Sequence, residues 1–334
     1  MSEHVREFTL GSFNLFNLAL PQRQYYPKRS YSEESYQKKL QWIGEQLDFM
    51  KADIVGFQEV FHHYALKDAL QKSNYLQGAY QVVCAERRTT PSVGLASRFP
   101  IIGYEEIEDY PLQLDIEGLE IPLHTFKRPV LKAKVQVNPD LVLTVFVVHM
   151  KSKRPDIQEG EDPKDPIHRS LGKARSLIRR TAEALAIRKL LVDELRNDAD
   201  PVVLLGDIND TGQAVTSEIV TGEQPLRFFP RDVKRKLWDI LLYQVRDIQA
   251  RKSMYASYYT HIHNGHHEVL DHIMVSQEMV FDNPKGIGGI SYAKVLNDHL
   301  VDETLGEEKI PEWKSDHGQI IAKVELHKQK KGDE

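Results

Sequence analysis

The sequence predicts a layered α/β domain. Short apolar runs recur along the whole chain, from Phe8–Phe13 to Ile320–Leu326. Several neighbouring runs are joined by tight turns, which argues against a purely parallel sheet. Two or three amphipathic helices separate them, and no internal repeat or low-complexity linker interrupts the pattern, so strands and helices are expected in stacked layers. The 334 residues allow one large domain. We assign residues 1–327 to it and read 328–334 as a charged, disordered tail.

In chain order, Phe8 to Phe13 alternates as a strand, and Pro21 to Ser32 reads as a loop. Ser32-Glu33-Glu34-Ser35 has the form of a capped helix start. The helix it opens places Tyr36, Leu40, Ile43, Leu47 and Met50 on one face. Ala52 to Phe57 is a short buried strand, followed by a helix over Tyr64 to Lys72. Tyr80 to Glu86, Ser92 to Ser97 and Ile101 to Ile107 form a strand meander. Thr125 to Val137 and Leu141 to Val148 form a hairpin across Asn138-Pro139-Asp140. Lys153 to Arg169 is a polar loop before the longest helix, Ser170 to Leu195, whose stripe is Leu171, Ala174, Ile178, Thr181, Leu185 and Val192. Its basic residues Lys173, Arg175, Arg179 and Arg180 lie in the first half, on a solvated face or towards an anion. Pro201 to Leu205 is a buried strand, and Gly206 is expected to give a tight exit and close approach by a ligand. Leu237 to Leu242 is a short run after basic residues. Tyr255 to His261 and Val269 to Val275 read as a hairpin around Asn264-Gly265, and Ile320 to Leu326 closes the fold.

Composition sets limits. Lys plus Arg total 44 against 49 for Asp plus Glu, a net charge of -5, which excludes a strongly basic nucleic-acid-coating surface but not a local basic groove. The single cysteine, Cys84, excludes an intrachain disulfide and a cysteine zinc cluster, and reads as a small buried hydrophobe. The five histidines between His261 and His272 match no strong zinc spacing. No run approaches a membrane span, and the N-terminus lacks a signal-peptide pattern, so a cytoplasmic location is expected.

Polar residues cap the apolar runs. Asn14, Glu59, His149, Asp207, Asn209, Asp271, Asp316 and His317 each lie at or just beyond the end of one. Polar groups that end buried strands cost folding energy unless satisfied, so their recurrence points to strands converging on one charged cleft. Carboxylates and amides there suit a hard divalent cation, and imidazoles move protons near neutral pH. Asp207 and Asn209, two apart, face one side in extended backbone. An Asx turn would give the same pair without chemistry. His317 needs an orienting partner, for which Asp271 is the natural candidate. Glu59, directly after a buried strand, suits a primary cation ligand, and His149 suits hydrogen bonding to a developing phosphorane charge.

The order Asn14, Gln58-Glu59, His149, Gly206-Asp207-Ile208-Asn209, Asp271, Ser315-Asp316-His317 resembles the endonuclease/exonuclease/phosphatase superfamily, over nearly the whole chain. The resemblance implies a four-layer α/β/β/α sandwich of two packed, mixed, mainly antiparallel sheets with outer helices. It implies Mg²⁺, replaceable by Mn²⁺, at Glu59 with Asn14 and Asp316 nearby. Asp207 and Asn209 would orient the attacking water and the scissile phosphate, and His317 and Asp271 would act as a coupled imidazole and carboxylate. His149 matches the histidine of the deoxyribonuclease and sphingomyelinase branches. Either Asp207 or His317 would activate water, and His149 or water at the cation would protonate the leaving oxygen. Two residues after Asn14, where many members carry an acid, this chain has Phe16. His149-Met150-Lys151-Ser152-Lys153 resembles the His-x-Lys-Ser-Lys of bacterial nuclease-like members. Lys151, Lys153 and Arg128 are therefore candidate phosphate contacts.

The implied activity is divalent-metal-dependent phosphoester hydrolysis. Nucleic acid is the first substrate expectation, resting on the lysine motif and on the basic segments 175–180 and 231–236. A small-molecule or lipid phosphoester is the alternative, with Tyr25, Tyr26, Tyr31, Trp238, Tyr243 and Trp313 as pocket-lining candidates. A monomer is expected.

Overall fold

The computed structural model describes residues 5–86, 90–114, 117, 122–197, 200–253, 258–281, 283, 286–303 and 307–327. The tail expected over 328–334 and Tyr255 of the expected hairpin lie outside them. In chain order the elements are β1 (Glu7–Leu18), α1 (Glu33–Met50), β2 (Ile54–Val60), α2 (His63–Gln71), β3 (Tyr80–Val83), β4 (Ser92–Ser97), β5 (Ile101–Asp109), β6 (Thr125–Asn138), β7 (Leu141–His149) and α3 (Pro166–Asn197). Then come β8 (Val202–Asp207), α4 (Val215–Thr221), α5 (Arg231–Trp238), β9 (Leu242–Gln244), α6 (Val245–Lys252), β10 (His261–His263), β11 (His266–Glu268), β12 (Asp271–Ser276), β13 (Gly288–Leu296) and β14 (Gln319–Leu326).

Two six-stranded sheets carry the fold, with orders β13-β14-β1-β2-β4-β3 and β5-β6-β7-β8-β12-β9. Each is mixed but mainly antiparallel: among the described residues only β1 with β2 and β7 with β8 pair in parallel. The sheets meet face to face through Leu10, Ile54, Leu95, Val145, Val147, Val203, Leu205, Ile273 and Ala322. At Gly56 they come so close that a Cβ would stand 2.8 Å from the Leu205 Cβ. Outer cores complete the layers. One packs Phe13, Val55, Phe57 and Ile321 beneath α1 and α2, and the other packs Phe146, Val148, Leu204 and Met274 beneath α3. This is the expected α/β sandwich flanked by helices. No helix of the described residues is long and apolar enough to cross a membrane.

α1 follows its sequence signals. Ser32 Oγ accepts from the Ser35 N–H at 3.1 Å, Glu33 and Glu34 occupy the first turn, and the five expected apolar residues are buried. α3 departs from expectation twice. It begins four residues earlier, because Asp165 Oδ1 accepts from the N–H groups of Ile167 (2.9 Å) and His168 (2.8 Å) while Pro166 opens the helix. Its buried face is not the apolar stripe: Leu171 and Ile178 are exposed, while Ser176, Arg180, Glu183, Ile187, Leu191 and Glu194 face inward. Those residues keep helical spacing, but polar members interrupt the hydrophobic signal.

Three further features concern the second half. The basic stretch before Leu237 is helix α5, and only Leu242 enters a strand. The Asn264-Gly265 hairpin is limited to β10 and β11, while β12 pairs with β8 and β9, which bury it centrally. β13, glycine-rich at its start, pairs with β14 along its length. Cys84 is buried, as expected.

Candidate active site

The inter-sheet rows change chemistry at one end. Along β7, β8 and β12 the inward residues run Val145, Val147, His149; Val203, Leu205, Asp207; and Val275, Ile273, Asp271. Register sets His149 beside Asp207 and Asp207 beside Asp271. On the opposing sheet, Leu10 and Ile54 give way to Ser12, Asn14 and Gln58, all buried. A single end of the two-sheet core therefore gathers polar groups from both sheets.

Local backbone irregularities aim the remaining groups. β1 and β2 slip register after Asn14, where Phe16 (φ 48°) and Asn17 (φ 62°) are left-handed, and Glu59 is left-handed at φ 63°. Such conformations cost non-glycine residues of order 1 kcal/mol or more and persist where surroundings fix them. Here the turn offers the Asn17 N–H to Glu59 Oε2 at 2.9 Å and the Phe16 N–H to Asn14 Oδ1 at 3.0 Å. Gly206 is not an exit: it lies within β8, and its missing Cβ makes room for the Val148 carbonyl oxygen. The turn comes at Asn209, at φ 54°.

Asp207 is the hub. Its Oδ1 accepts from the Asn209 N–H at 2.8 Å and its Oδ2 from Asn14 Nδ2 at 3.1 Å. His149 Nε2 stands 3.6 Å and His317 Nε2 4.0 Å from the same Oδ2. Burial, reinforced by Asp271, pushes the Asp207 carboxyl up to about 7 despite the opposing effect of His317. His317 Nδ1 lies 2.7 Å from Asp271 Oδ2. Burial works against a charged His317, but Asp271, with Asp207 and Asp316, outweighs it and holds the imidazole well above its usual value. His149, by contrast, is held well below by burial and by Arg128 and His317, and is neutral. Burial and then Asp316 raise the Glu59 carboxyl, so these two acids share one electrostatic neighbourhood.

The residues present fit a hard divalent cation. Two groups bring ligand atoms within 4.8 Å of one another: His261, Asp316 and His317, and Asp207, Asp271 and His317. Asp316 Oδ1, Asp271 Oδ1 and Asn17 Oδ1 are buried oxygens without a hydrogen-bond partner among the described residues. Unsatisfied buried oxygens are costly, and a cation is what would satisfy them.

Of the candidate phosphate contacts, Arg128 Nη1 donates to the Met150 carbonyl oxygen at 3.2 Å, and its Nε has no partner among the described residues. Lys151 turns inward, donating from Nζ to the carbonyls of Ser152 (3.2 Å) and Arg154 (3.0 Å), and burial lowers it to about 8. Lys153 Nζ bonds Glu268 at 3.1 Å and lies 3.7 Å from Asp210.

Several positioning roles escaped sequence reasoning. Ser315 Oγ donates to the Asn14 carbonyl at 2.7 Å and accepts from the His317 N–H at 3.0 Å, tying β1 to the Asp316-His317 bend. Helix α3 cradles the segment after His149. Glu183 accepts from the Lys151 N–H at 2.6 Å, Ser176 Oγ donates to the Arg154 carbonyl at 2.6 Å, and Arg180 bridges the Lys151 carbonyl and Asp210, each at 3.2 Å. Arg180 is thus an internal strut, buried rather than solvated, and the anion it faces is the Asp210 carboxylate. His261 donates from Nδ1 to the Asp316 carbonyl at 2.9 Å. Helical spacing of Ser176, Arg180 and Glu183 was a usable signal; Ser315 stood in the Ser315-Asp316-His317 motif, but nothing local announced its bond to Asn14. Ser315→Ala is expected to destabilise the protein by about 1–3 kcal/mol, because the buried Asn14 carbonyl and His317 N–H lose their partner. Urea unfolding checks this, and an unchanged midpoint would remove Ser315 from the account.

The fold and these groups define a metal-dependent phosphoesterase. The chain belongs to the Endonuclease/Exonuclease/phosphatase family, whose model matches residues 12–317. No curated protein matches by sequence. Among solved structures, an endonuclease/exonuclease/phosphatase family protein from Bacteroides thetaiotaomicron is similar at 15% identity and TM-score 0.57, over 98% of each chain. A mannosyl-6-phosphatase from the same organism matches at 17% identity and TM-score 0.55, over 96% of this chain and 99% of that one. The human Nocturnin catalytic domain with bound sulfate matches at 13% and 0.55, over 97% and 96%. At these identities the likeness is one of fold.

Proposed function

We propose that the protein hydrolyses phosphodiesters with the aid of Mg²⁺, or Mn²⁺ in its place, and that nucleic acid is its substrate. The observation that carries the reading is the convergence of His149, Asp207, Asp271 and His317 at one end of the core, beside Glu59 and Asp316. Glu59, Asp316 and Asn14 are the groups to hold the cation. Bound there, it would neutralise phosphate charge in the transition state.

The protein groups divide the remaining work by charge. Asp207, titrating near 7, accepts a proton from the attacking water. Asn209 fixes the Asp207 carboxylate through its N–H. The His317 imidazolium, anchored by Asp271, faces the developing charge on a phosphoryl oxygen, and neutral His149 donates one hydrogen bond there. An in-line displacement needs base and leaving-group acid on opposite sides of phosphorus, roughly 8 Å apart from two hydrogen bonds and two P–O distances. His317 and Asp207 are 4.0 Å apart. They therefore serve one side, which assigns His317 to charge stabilisation and leaves water to protonate the departing oxygen.

Nucleic acid is favoured by α5, a helix with no buried residue that carries Arg231, Lys234, Arg235 and Lys236. A small phosphoester is the second reading, because other basic groups are already neutralised: Lys153 by Glu268, Arg175 by Glu161 at 2.7 and 2.8 Å, and Arg180 by Asp210. Assays on single- and double-stranded DNA, RNA, a simple diester and a simple monoester, each with Mg²⁺, Mn²⁺ or EDTA, decide between them. Turnover confined to monoesters would sink the diesterase reading. Glu59→Gln is expected to weaken Mn²⁺ binding about tenfold or more by removing a charged ligand. Calorimetric titration measures this, and unchanged affinity would remove Glu59 from the ligand set.

A further inference from the structure

One buried cation has no part in this scheme. Lys39, on α1, is 0% exposed, yet among the described residues its Nζ makes one long hydrogen bond, to the Glu312 carbonyl oxygen at 3.4 Å. It otherwise rests on the rings of Phe16 and Tyr31, 5.6 and 5.4 Å from their centroids. A buried ammonium so sparsely bonded is expensive unless anions lie near. The acids whose charges favour its protonated form are Glu59, Asp316 and Glu312, while burial pulls it down to about 7. Geometry ties it to the same groups. Phe16, beneath the ammonium, bonds through its N–H to Asn14, and its carbonyl accepts from Tyr31 Oη at 3.3 Å. The next residue, Asn17, holds Glu59. On the other side Glu312 lies four residues before Asp316, and its carboxylate accepts from Ser35 Oγ of α1 at 2.7 Å.

We propose that Lys39 is an internal counter-cation of the metal site, which balances Glu59 and Asp316 while no divalent cation is bound and opposes that cation when it binds. The proposal rests on the reading of those two acids as cation ligands. Lys39 acts through them and through the Phe16–Asn17 turn, so it is a positioning residue that touches no substrate. It keeps the crowded carboxylates ordered in the metal-free protein and makes the cation exchangeable.

The test is calorimetric titration of Mn²⁺ into the full chain at pH 6, for wild type, Lys39→Met and Lys39→Arg. Removing one positive charge near a divalent site should tighten binding on the order of tenfold, and Arg, which keeps the charge, should stay within about twofold of wild type. A merely structural lysine predicts the opposite direction, since a loosened site binds more weakly. If Lys39→Met does not fold, judged by circular dichroism, Lys39→Gln takes its place. Equal or weaker Mn²⁺ binding by the folded neutral variant, beside normal binding by wild type, overturns the proposal alone. Wild type that binds no Mn²⁺ overturns it together with the metal-site reading, and loss of metal-dependent turnover would register that second failure independently.

Discussion

Asp207→Asn is expected to lower turnover by about 10³- to 10⁴-fold and, in the absence of divalent cation, to make the protein more stable. The two effects share a cause. Asp207 is 2% exposed, and burial with Asp271 nearby lifts its carboxyl to about 7. An unfolded aspartate ionises near 3.9, so the folded state resists ionisation. A carboxyl raised on folding costs nothing below its unfolded value. The cost grows as pH rises from there to the folded value and is complete above it. Asn carries no such cost. It cannot accept a proton from water, and its amide meets the Asn14 amide less well, which returns about 1 kcal/mol. The expected net gain is about 1–3 kcal/mol at pH 8 and turns into a loss of up to about 1 kcal/mol towards pH 4, where only the poorer Asn14 contact remains. Urea unfolding in EDTA at both pH values measures it. Wild-type turnover should correspondingly rise with pH through neutrality as Asp207 ionises. A variant that keeps activity would remove Asp207 as base, and one destabilised at pH 8 would contradict the assigned cause.

His317→Ala is expected to reduce turnover by about 10²- to 10³-fold even though the cation still binds. The ring supplies a fixed positive charge 2.7 Å from Asp271 Oδ2 and 4.0 Å from Asp207 Oδ2. Its removal leaves two buried acids unbalanced, a loss of about 3–5 kcal/mol for a broken buried pair. The sign with pH is opposite to that of Asp207. A histidine raised on folding contributes stability that is complete below its unfolded value near 6.5 and is lost as pH rises through the folded value. His317 is held well above that reference, so the deficit of His317→Ala should be full at pH 6 and should shrink at higher pH. Asp271→Asn should also lose activity, because the ring keeps its place but loses the charge that holds its proton. Unfolding at pH 6 and pH 9 with steady-state kinetics separates the roles. A deficit that grows with pH would mean His317 is neutral in the folded protein.

Which parts of this were legible in sequence follows from physical periodicity. β7 and β8 end at His149 and Asp207 because apolar runs stop there, and α1 starts at Ser32 because its cap is local. Those signals lie within a few residues. α3 misled because its inward face is read by what it touches: Glu183 and Arg180 face the 150–154 segment, so the polar residues are inside and Leu171 and Ile178 outside. β12 was paired with the wrong neighbour because Asn264-Gly265 makes a good local turn, while its partner β8 is remote in sequence. Asn14 and Glu59 were identified as polar strand endings, but the left-handed backbone at Phe16, Asn17 and Glu59 that aims them depends on contacts between β1 and β2. Lys39 was hidden for the same reason. In sequence it is one of two lysines on an amphipathic helix, and only packing of α1 against the Phe16 turn puts it inside.

The central claim is that the polar end of the two-sheet core is a cation-dependent phosphoester-cleaving site with Asp207 at its hub. The most direct measurement is the initial rate of cleavage of single-stranded DNA, and of a simple diester, against Mg²⁺ concentration, for wild type and Asp207→Asn purified side by side. The account predicts a rate that saturates with Mg²⁺, disappears in EDTA and falls by about 10³-fold in the variant. Equal rates from the two proteins, or turnover that persists in EDTA, would contradict it.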